Sequence, residues 1–371
     1  MNTYLKAGLV GCGSLSQRGV LPHLAVADAR ERIRLVAVVD AAEERARQSA
    51  QRFDVPAYFT SIEAMLAEVE LDLVLVITPI GSHFAHAMAA IDAGKHVYVQ
   101  KAMTTSLDEA DALLAARDRR GVKLAAAPGY ELFPTTQQIR QIVSEQRLGR
   151  VAIAYSYTMG FGHEQESIRG GTGVLEAIDP SWYYRASAGP LPDVTVYALQ
   201  LATSVLGPVR RVTALANTIR PQRTWKDRTI SLETEDNNLV LMEFSSGTLG
   251  VAVGSDCRGS TLIPWGGLGL YGTTGTLEVT DVDHNSGYPL SFNVLGREHV
   301  TALADQPYLR GEHLTIEEPH VYADIMDLVD AICDDRAPRA TGEQARHVVE
   351  IIERARVAAR TGQTQDLNST F

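Results

Sequence analysis

The chain is predicted to be an α/β protein in two parts: an N-terminal, doubly wound parallel sheet over residues 1–127, then an α+β domain over residues 128–371 with a large, mostly antiparallel sheet. Three observations predict this. Up to Ala126, short apolar runs rich in β-formers alternate with segments of helical periodicity, which is how successive βαβ units read. After Pro128 the texture changes to alternating apolar and polar residues broken by glycine-bearing turns, the pattern of antiparallel strands. The length, 371 residues, allows two or three domains with an ample core.

In the first part, strands are expected at Leu5 to Val10, Leu35 to Val39, Leu73 to Ile77, Val97 to Val99 and Val122 to Ala126. Helical segments fall between them, near Leu15 to Ala27, Ala42 to Phe53, Ser61 to Ala67, Ser82 to Ala93 and Ser106 to Arg119. Gly94 and Gly121 stand just past two of these helices, where a left-handed cap favours glycine. In the second part a helix near Gln137 to Gln146 precedes strands at Val151 to Tyr157, Arg211 to Asn217, Leu239 to Phe244 and Thr248 to Val253. Turns at Ser246-Gly247 and Thr274-Gly275 separate strands, and one helix is inserted around Asp193 to Leu206. The tail is helical at Val321 to Ile332 and Glu343 to Arg360, and the last ten or so residues read as a frayed end.

Apolar residues make up 45% and charged residues 21% of the chain, a balance that excludes disorder and low-complexity architecture. A net charge of −11, from 34 basic and 45 acidic residues, argues against nucleic acid or an anionic membrane as partner. Cys12, Cys257 and Cys333 are too scattered for a disulfide framework or a zinc site, so no metal is expected and a reducing, cytoplasmic setting is. The long uncharged stretch from Leu73 to Ile91 is broken by Pro79, Gly81, Ser82 and two histidines and is no membrane span. The N-terminus, with Lys6 ahead of a mildly apolar Ala7 to Val10, lacks the marks of a secretory signal.

The first strand runs directly into Gly11-Cys12-Gly13-Ser14-Leu15-Ser16. In a dinucleotide-binding fold such a loop lets the backbone approach a diphosphate at a helix N-terminus. Gly11, Gly13, Ser14 and Leu15 are therefore the expected phosphate contacts, although Ser16 stands where a third glycine usually packs helix against strand. The second strand ends at Asp40, where a carboxylate would accept hydrogen bonds from the adenosine ribose and repel a 2′-phosphate. NAD is thus favoured over NADP, although Arg45 is close enough to swing in from the next helix.

Two further strand ends lie on the carboxyl edge, where open α/β sheets bind ligands: Thr78-Pro79-Ile80-Gly81-Ser82-His83 and Val99-Gln100-Lys101-Ala102. Together with Gly11 to Leu15, Asp40 and the Ala93-Gly94-Lys95-His96-Val97 segment, this order resembles the glucose-fructose oxidoreductase, inositol dehydrogenase and MocA family across nearly the whole chain. The family's Glu-Lys-Pro signature is similar to Gln100-Lys101-Ala102, with only the lysine kept. Its Asp-x-Gly-x-His segment is similar to Asp193-Val194-Thr195-Val196-Tyr197, with tyrosine in place of histidine and Gln200 in place of a second aspartate. The resemblance implies a Rossmann domain beside a β-sheet domain, and hydride transfer between a nicotinamide and a sugar or cyclitol carbon. It also places Thr78, Pro79, Gln100 and Lys101 at the cofactor and His83 beneath the nicotinamide. From the residues alone, Ser82-His83 reads equally as a helix start with a satisfied imidazole.

Val194, Tyr197, Ala198, Leu201, Ala202 and Val205 repeat at helical spacing, so Asp193 and Tyr197 share one helix face. Oxidising a secondary alcohol requires a base for the hydroxyl proton, and a phenol with a pKa of about 10 is a poor one. A lysine ammonium within about 4–6 Å favours the phenolate. The expected catalytic set is Tyr197 for proton transfer, Lys101 to tune it and hold the hydroxyl, and Asp193 to place Lys101. Trp182, Tyr184 and Arg185, with Tyr130 and His163, are candidate substrate contacts, since aromatic rings beside an arginine suit a sugar. Two rival readings use the same motifs: redox-assisted elimination, epimerisation or glycoside cleavage without net cofactor turnover, and an NAD-binding regulatory protein without catalysis. A large open sheet with too few helices to cover it predicts a homodimer or homotetramer.

Overall fold

The computed structural model describes residues 4–257, 266–283, 288–294, 298–301 and 307–371. The chain forms two compact units that interleave along the sequence: Met1–Gly129 with Glu164–Trp182 and Pro307–Gly342, and Tyr130–His163 with Tyr183–Gln306 and Glu343–Phe371.

The first unit holds β1 (Leu5–Val10), α1 (Leu21–Ala25), α2 (Ala27–Arg30), β2 (Ile33–Val39), α3 (Glu43–Phe53), β3 (Ala57–Phe59), α4 (Ile62–Glu68), β4 (Leu73–Val76), α5 (His83–Asp92), β5 (His96–Val99), α6 (Leu107–Arg120) and β6 (Leu124–Ala126). All six strands are parallel, in the order β3-β2-β1-β4-β5-β6. β4 and β5 are nearly continuous apolar runs because helices cover both faces of such a sheet. Local chemistry sets the helix ends. Ser106 accepts the Glu109 amide to start α6, and Gly121 closes it at φ 64°, as its position predicts. The single helix expected from Leu15 to Ala27 is broken into a π-helical turn over Ser16–Val20, then α1, then α2 after an extended Val26.

The second unit holds α7 (Pro134–Ser144), β7 (Val151–Met159), α8 (Val196–Leu206), β8 (Val209–Asn217), β9 (Gln222–Trp225), β10 (Arg228–Ser231), β11 (Asn237–Phe244), β12 (Leu249–Ser255), β13 (Gly267–Gly272), β14 (Thr276–Val282), β15 (Pro289–Val294) and β16 (Glu298–Thr301). The tail adds α9 (Pro319–Cys333), α10 (Gly342–Thr361) and β17 (Gln365–Asp366). The nine-stranded sheet runs β16-β15-β14-β13-β7-β12-β11-β8-β17 and is antiparallel except where β12 meets β7. β9 and β10 form a separate hairpin. α8 lies over one face and is pinned there by Ser156 Oγ donating to the Ala198 carbonyl and Thr158 Oγ1 to that of Val194.

Two features of the tail differ from the sequence reading. α9 belongs to the first unit, where Val321, Ile325, Leu328 and Val329 join the same core as Leu9, Leu73 and Tyr98. The expected frayed end is instead tied down. β17 pairs with β8, and the amides of Asn368 and Ser369 donate to the buried Glu350 carboxylate. No described helix is long and apolar enough to cross a membrane.

Candidate active site

The loops after β1 and β4 meet in the crevice where strand order reverses, the place that this topology reserves for ligands. Gly11 has φ 100°, and a Cβ there would fall 2.5 Å from the Ile77 carbonyl oxygen, so the close approach of the two loops depends on glycine. At Gly13 no atom beyond its chain neighbours lies within 4 Å of a Cβ position, and a side chain would project into open space. That is the cradle a diphosphate needs, and the residues present fit a dinucleotide. Ser14 Oγ donates to Glu166 Oε2 at 2.8 Å, and Ser16 Oγ turns back to the Gly11 carbonyl. Leu15, half-buried, opens the helical turn behind them.

Asp40 is held at the end of β2 by three donors: the Cys12 amide at 3.0 Å, the Ala42 amide at 2.9 Å and Arg45 Nη1 at 3.1 Å. The arginine expected to be able to swing in is therefore already on the aspartate. A carboxylate offers about four acceptor sites, which leaves room for a ribose hydroxyl. Cys12 beneath it is buried, and burial pushes its thiol up to about 12, so it is no nucleophile.

Thr78 and Pro79 follow β4 at the crevice, half-buried and exposed respectively. His83 is fully buried. Its Nδ1 lies 2.8 Å from the Ala102 carbonyl and its Nε2 2.7 Å from that of Thr78, while burial pushes the imidazole down to about 4. Both ring nitrogens thus face main-chain carbonyls, and the ring, which donates from one nitrogen when neutral, ties the loop after β4 to the loop after β5. Lys101 leaves β5 half-buried, with the following peptide bond cis. Its amide donates to Gln100 Oε1 at 3.2 Å, Gln100 Nε2 donates to Tyr98 Oη at 2.9 Å, and Tyr98 Oη donates to Asp324 Oδ2 on α9 at 3.3 Å. Gln100, which replaces the family's glutamate, thus anchors the lysine backbone to the core.

In the second unit Asp193 lies in a π-helical turn over Leu191–Thr195, and Tyr197 in the first turn of α8. Both are buried. Asp193 Oδ2 is 2.9 Å from His163 Nε2, and His163 meets Tyr183 edge to face. Burial and the neighbouring Asp256 push the Tyr183 phenol well above its usual range. His163, expected against substrate, thus pairs with the aspartate. Among the other expected substrate contacts, Tyr130 and Tyr184 are core residues with almost no exposed surface; Tyr130 packs on Tyr288. Arg185 is exposed and paired with Glu233, and Trp182 is half-buried. Gln200 is buried, its carbonyl accepting from the Ser204 hydroxyl.

Sequence reasoning missed Glu166, which reaches Ser14 from 152 residues along the chain, and Arg169, which holds Glu166; no local pattern marks either. It also treated Cys257 as isolated. Among the described residues, Asp236, Asp256 and Cys257 offer ligand atoms within 4.8 Å of one another. The cation there is Arg223, fully buried, with Nη2 at 2.9 Å from Asp256 and 3.4 Å from Asp236.

Residues 5–127 match the model of the oxidoreductase family with an NAD-binding Rossmann fold, and residues 136–278 match the GFO/IDH/MocA C-terminal domain. A D-xylose 1-dehydrogenase (NADP(+)) of Haloferax volcanii is 28% identical over 213 residues, 57% of this chain and 61% of that protein. A D-apiose dehydrogenase of Paraburkholderia graminis is 23% identical over 98% of this chain and 90% of its own length. Several other curated relatives are matched over only about two fifths of their length. Among solved structures, a levoglucosan dehydrogenase in complex with NADH superimposes with a TM-score of 0.81 at 18% identity, covering 99% of this chain and 100% of that one. The WlbA dehydrogenase from Bordetella pertussis, with NADH and UDP-GlcNAcA, gives 0.75 at 20% identity, covering 98% and 99%. With both family domains matched in order along the chain, this protein belongs to the Gfo/Idh/MocA family of oxidoreductases.

Proposed function

We propose that the protein is a nicotinamide-dependent dehydrogenase that interconverts a secondary alcohol and a ketone on a sugar, sugar derivative or cyclitol. One observation carries the reading: three adjacent strand ends, after β1, β4 and β5, bring an open glycine loop, Thr78 and Lys101 to one edge of the sheet, with the fixed carboxylate of Asp40 beside them. The cofactor supplies the hydride acceptor or donor. Gly11, Gly13, Ser14 and Leu15 hold its diphosphate, and Asp40 its adenosine ribose. Asp40 accepts from three donors, and a carboxylate at the ribose favours NAD; Arg45, already in contact, is what would let NADP be accepted.

Tyr197 is the group that moves the hydroxyl proton, Lys101 orients that hydroxyl and favours the phenolate, and Asp193 places the ammonium. The names of relatives acting on xylose, apiose, glucosides and inositols support a polyol substrate. The protein acts as a homo-oligomer, because β7, β8, β11 and β12 leave Ile153, Leu215, Leu239, Leu241 and Leu249 exposed on one face of the large sheet. A panel of aldoses, sugar acids and cyclitols, assayed for reduction of NAD and of NADP separately, tests the reading. Steady NADH formation with one polyol class supports it; binding of NADH without turnover of any panel member contradicts it.

A further inference from the structure

The segment Glu164–Trp182 lies between β7 and α8 in sequence yet belongs to the first unit. It meets the nucleotide edge at two points. Near its start Glu166 Oε2 accepts from Ser14 Oγ at 2.8 Å, inside the phosphate loop, and further on the Val174 carbonyl accepts from Arg45 Nε at 3.4 Å, beside the ribose carboxylate. The contact with Ser14 is not that of a side chain free to swing into water. Arg169 Nε donates to the same Glu166 oxygen at 2.8 Å, and Arg169, itself buried, fixes the strap through Nη1 to the Ile178 carbonyl at 2.7 Å. At Gly171 a Cβ would fall 2.0 Å from Glu176 Oε2, so the strap is folded tightly on itself.

A dinucleotide brings two negative charges to the loop after β1, where backbone amides and the Ser14 hydroxyl are the available donors. Glu166 engages one of those donors and adds a charge of the same sign. Arg169 offsets that charge in part, and Arg18 lies within electrostatic reach, but Arg18 also answers to Glu317 and Glu318. We propose that Glu166 is a built-in anionic competitor for the diphosphate: held on Ser14 by the strap, it weakens cofactor affinity and speeds cofactor release. The proposal rests on the dehydrogenase reading above.

Glu166→Gln keeps the acceptor on Ser14 and removes the charge. Titration of purified protein with NADH, followed by nucleotide fluorescence, is expected to give a Kd about three- to ten-fold lower than wild type in dilute buffer, with the gap narrowing as salt screens the charge. Glu164→Gln, the same charge change two residues away, is the control and is expected to tighten binding by less than about two-fold. Unchanged or weaker binding by Glu166→Gln, or an equal gain from Glu164→Gln, overturns the proposal. Should Glu166→Gln fail to fold, Glu166→Asp draws the carboxylate back by one methylene; tighter binding supports the competitor and equal or weaker binding overturns it. Wild-type protein that binds no NADH at all overturns the dehydrogenase reading with it, whereas failure of the variants alone leaves that reading standing.

Discussion

The carboxylate of Asp193 sits 2.9 Å from Nε2 of His163, and His163 in turn stands edge-on to Tyr183 with ring centroids 4.3 Å apart. The imidazole therefore fixes the orientation of the one acidic side chain at the start of α8. If Asp193 acts through its charge and placement, Asp193→Asn, which keeps the shape, lowers kcat by about 100-fold. His163→Asn, which retains an N–H donor, costs less than His163→Leu. Steady-state kinetics of the three variants beside NADH titrations check this; wild-type kcat in His163→Leu would remove His163 from the account.

Gly11 and Gly13 separate folding from binding. A Cβ at Gly11 meets the Ile77 carbonyl at 2.5 Å on a backbone with φ 100°, so Gly11→Ala is expected to destabilise the fold by roughly 2 kcal/mol or more in urea unfolding. A Cβ at Gly13 meets nothing within 4 Å. Gly13→Ala should unfold within about 0.5 kcal/mol of wild type yet bind NADH at least about ten-fold more weakly, because the methyl group would enter the space proposed for the diphosphate.

Three buried histidines make the fold sensitive to acid. Burial pushes His23, His83 and His347 each down to about 4. An unfolded histidine titrates near 6.5, so between about pH 6.5 and 4 the unfolded chain binds protons that the folded one excludes. Stability is full above that window and falls as pH drops through it. With three such groups the unfolding free energy declines by up to about 4 kcal/mol per pH unit in mid-window. Denaturant midpoints at stepped pH measure the slope; a flat response between pH 6.5 and 5 contradicts it.

The open face of the large sheet predicts self-association. Leu239 stands opposite Leu215 on one side and Val253 on the other, and Leu249 beside Ile153, forming one apolar surface. Light scattering should give a mass of two or four times 40.3 kDa for the wild type, and the protomer mass for Leu241→Arg. A wild-type monomer, or a variant of unchanged mass, contradicts this.

The parts of the fold legible in the sequence are those where one residue type answers to one constraint. The central parallel strands are nearly continuous apolar runs, and Gly94 and Gly121 adopt the positive φ that their place beyond a helix predicts. β13 was hidden by its glycines, since Gly267-Leu268-Gly269-Leu270 reads as a turn-rich stretch. Its register puts Gly267 opposite Tyr157 and Gly269 opposite Tyr155, and a Cβ at either glycine would strike the tyrosine ring at 2.3 Å, so aromatic rings from the neighbouring strand cover them. β3 and β17 are too short to show a period, and partners far along the chain fix them. At the site, Gly11, Asp40 and Lys101 follow from strand-end logic. Glu166 and the burial of Tyr130 do not, because each depends on contacts more than a hundred residues away in sequence.

A double-mutant cycle on polyol oxidation tests most directly the proposed action of Lys101 and Tyr197 on the same proton. Lys101→Met and Tyr197→Phe should each lower kcat by about 100-fold or more while NADH binding stays within about three-fold of wild type. The double variant should be little slower than the worse single one, because groups that serve one step lose their effect together. Losses that multiply in the double variant, or near wild-type turnover in Tyr197→Phe, would contradict it.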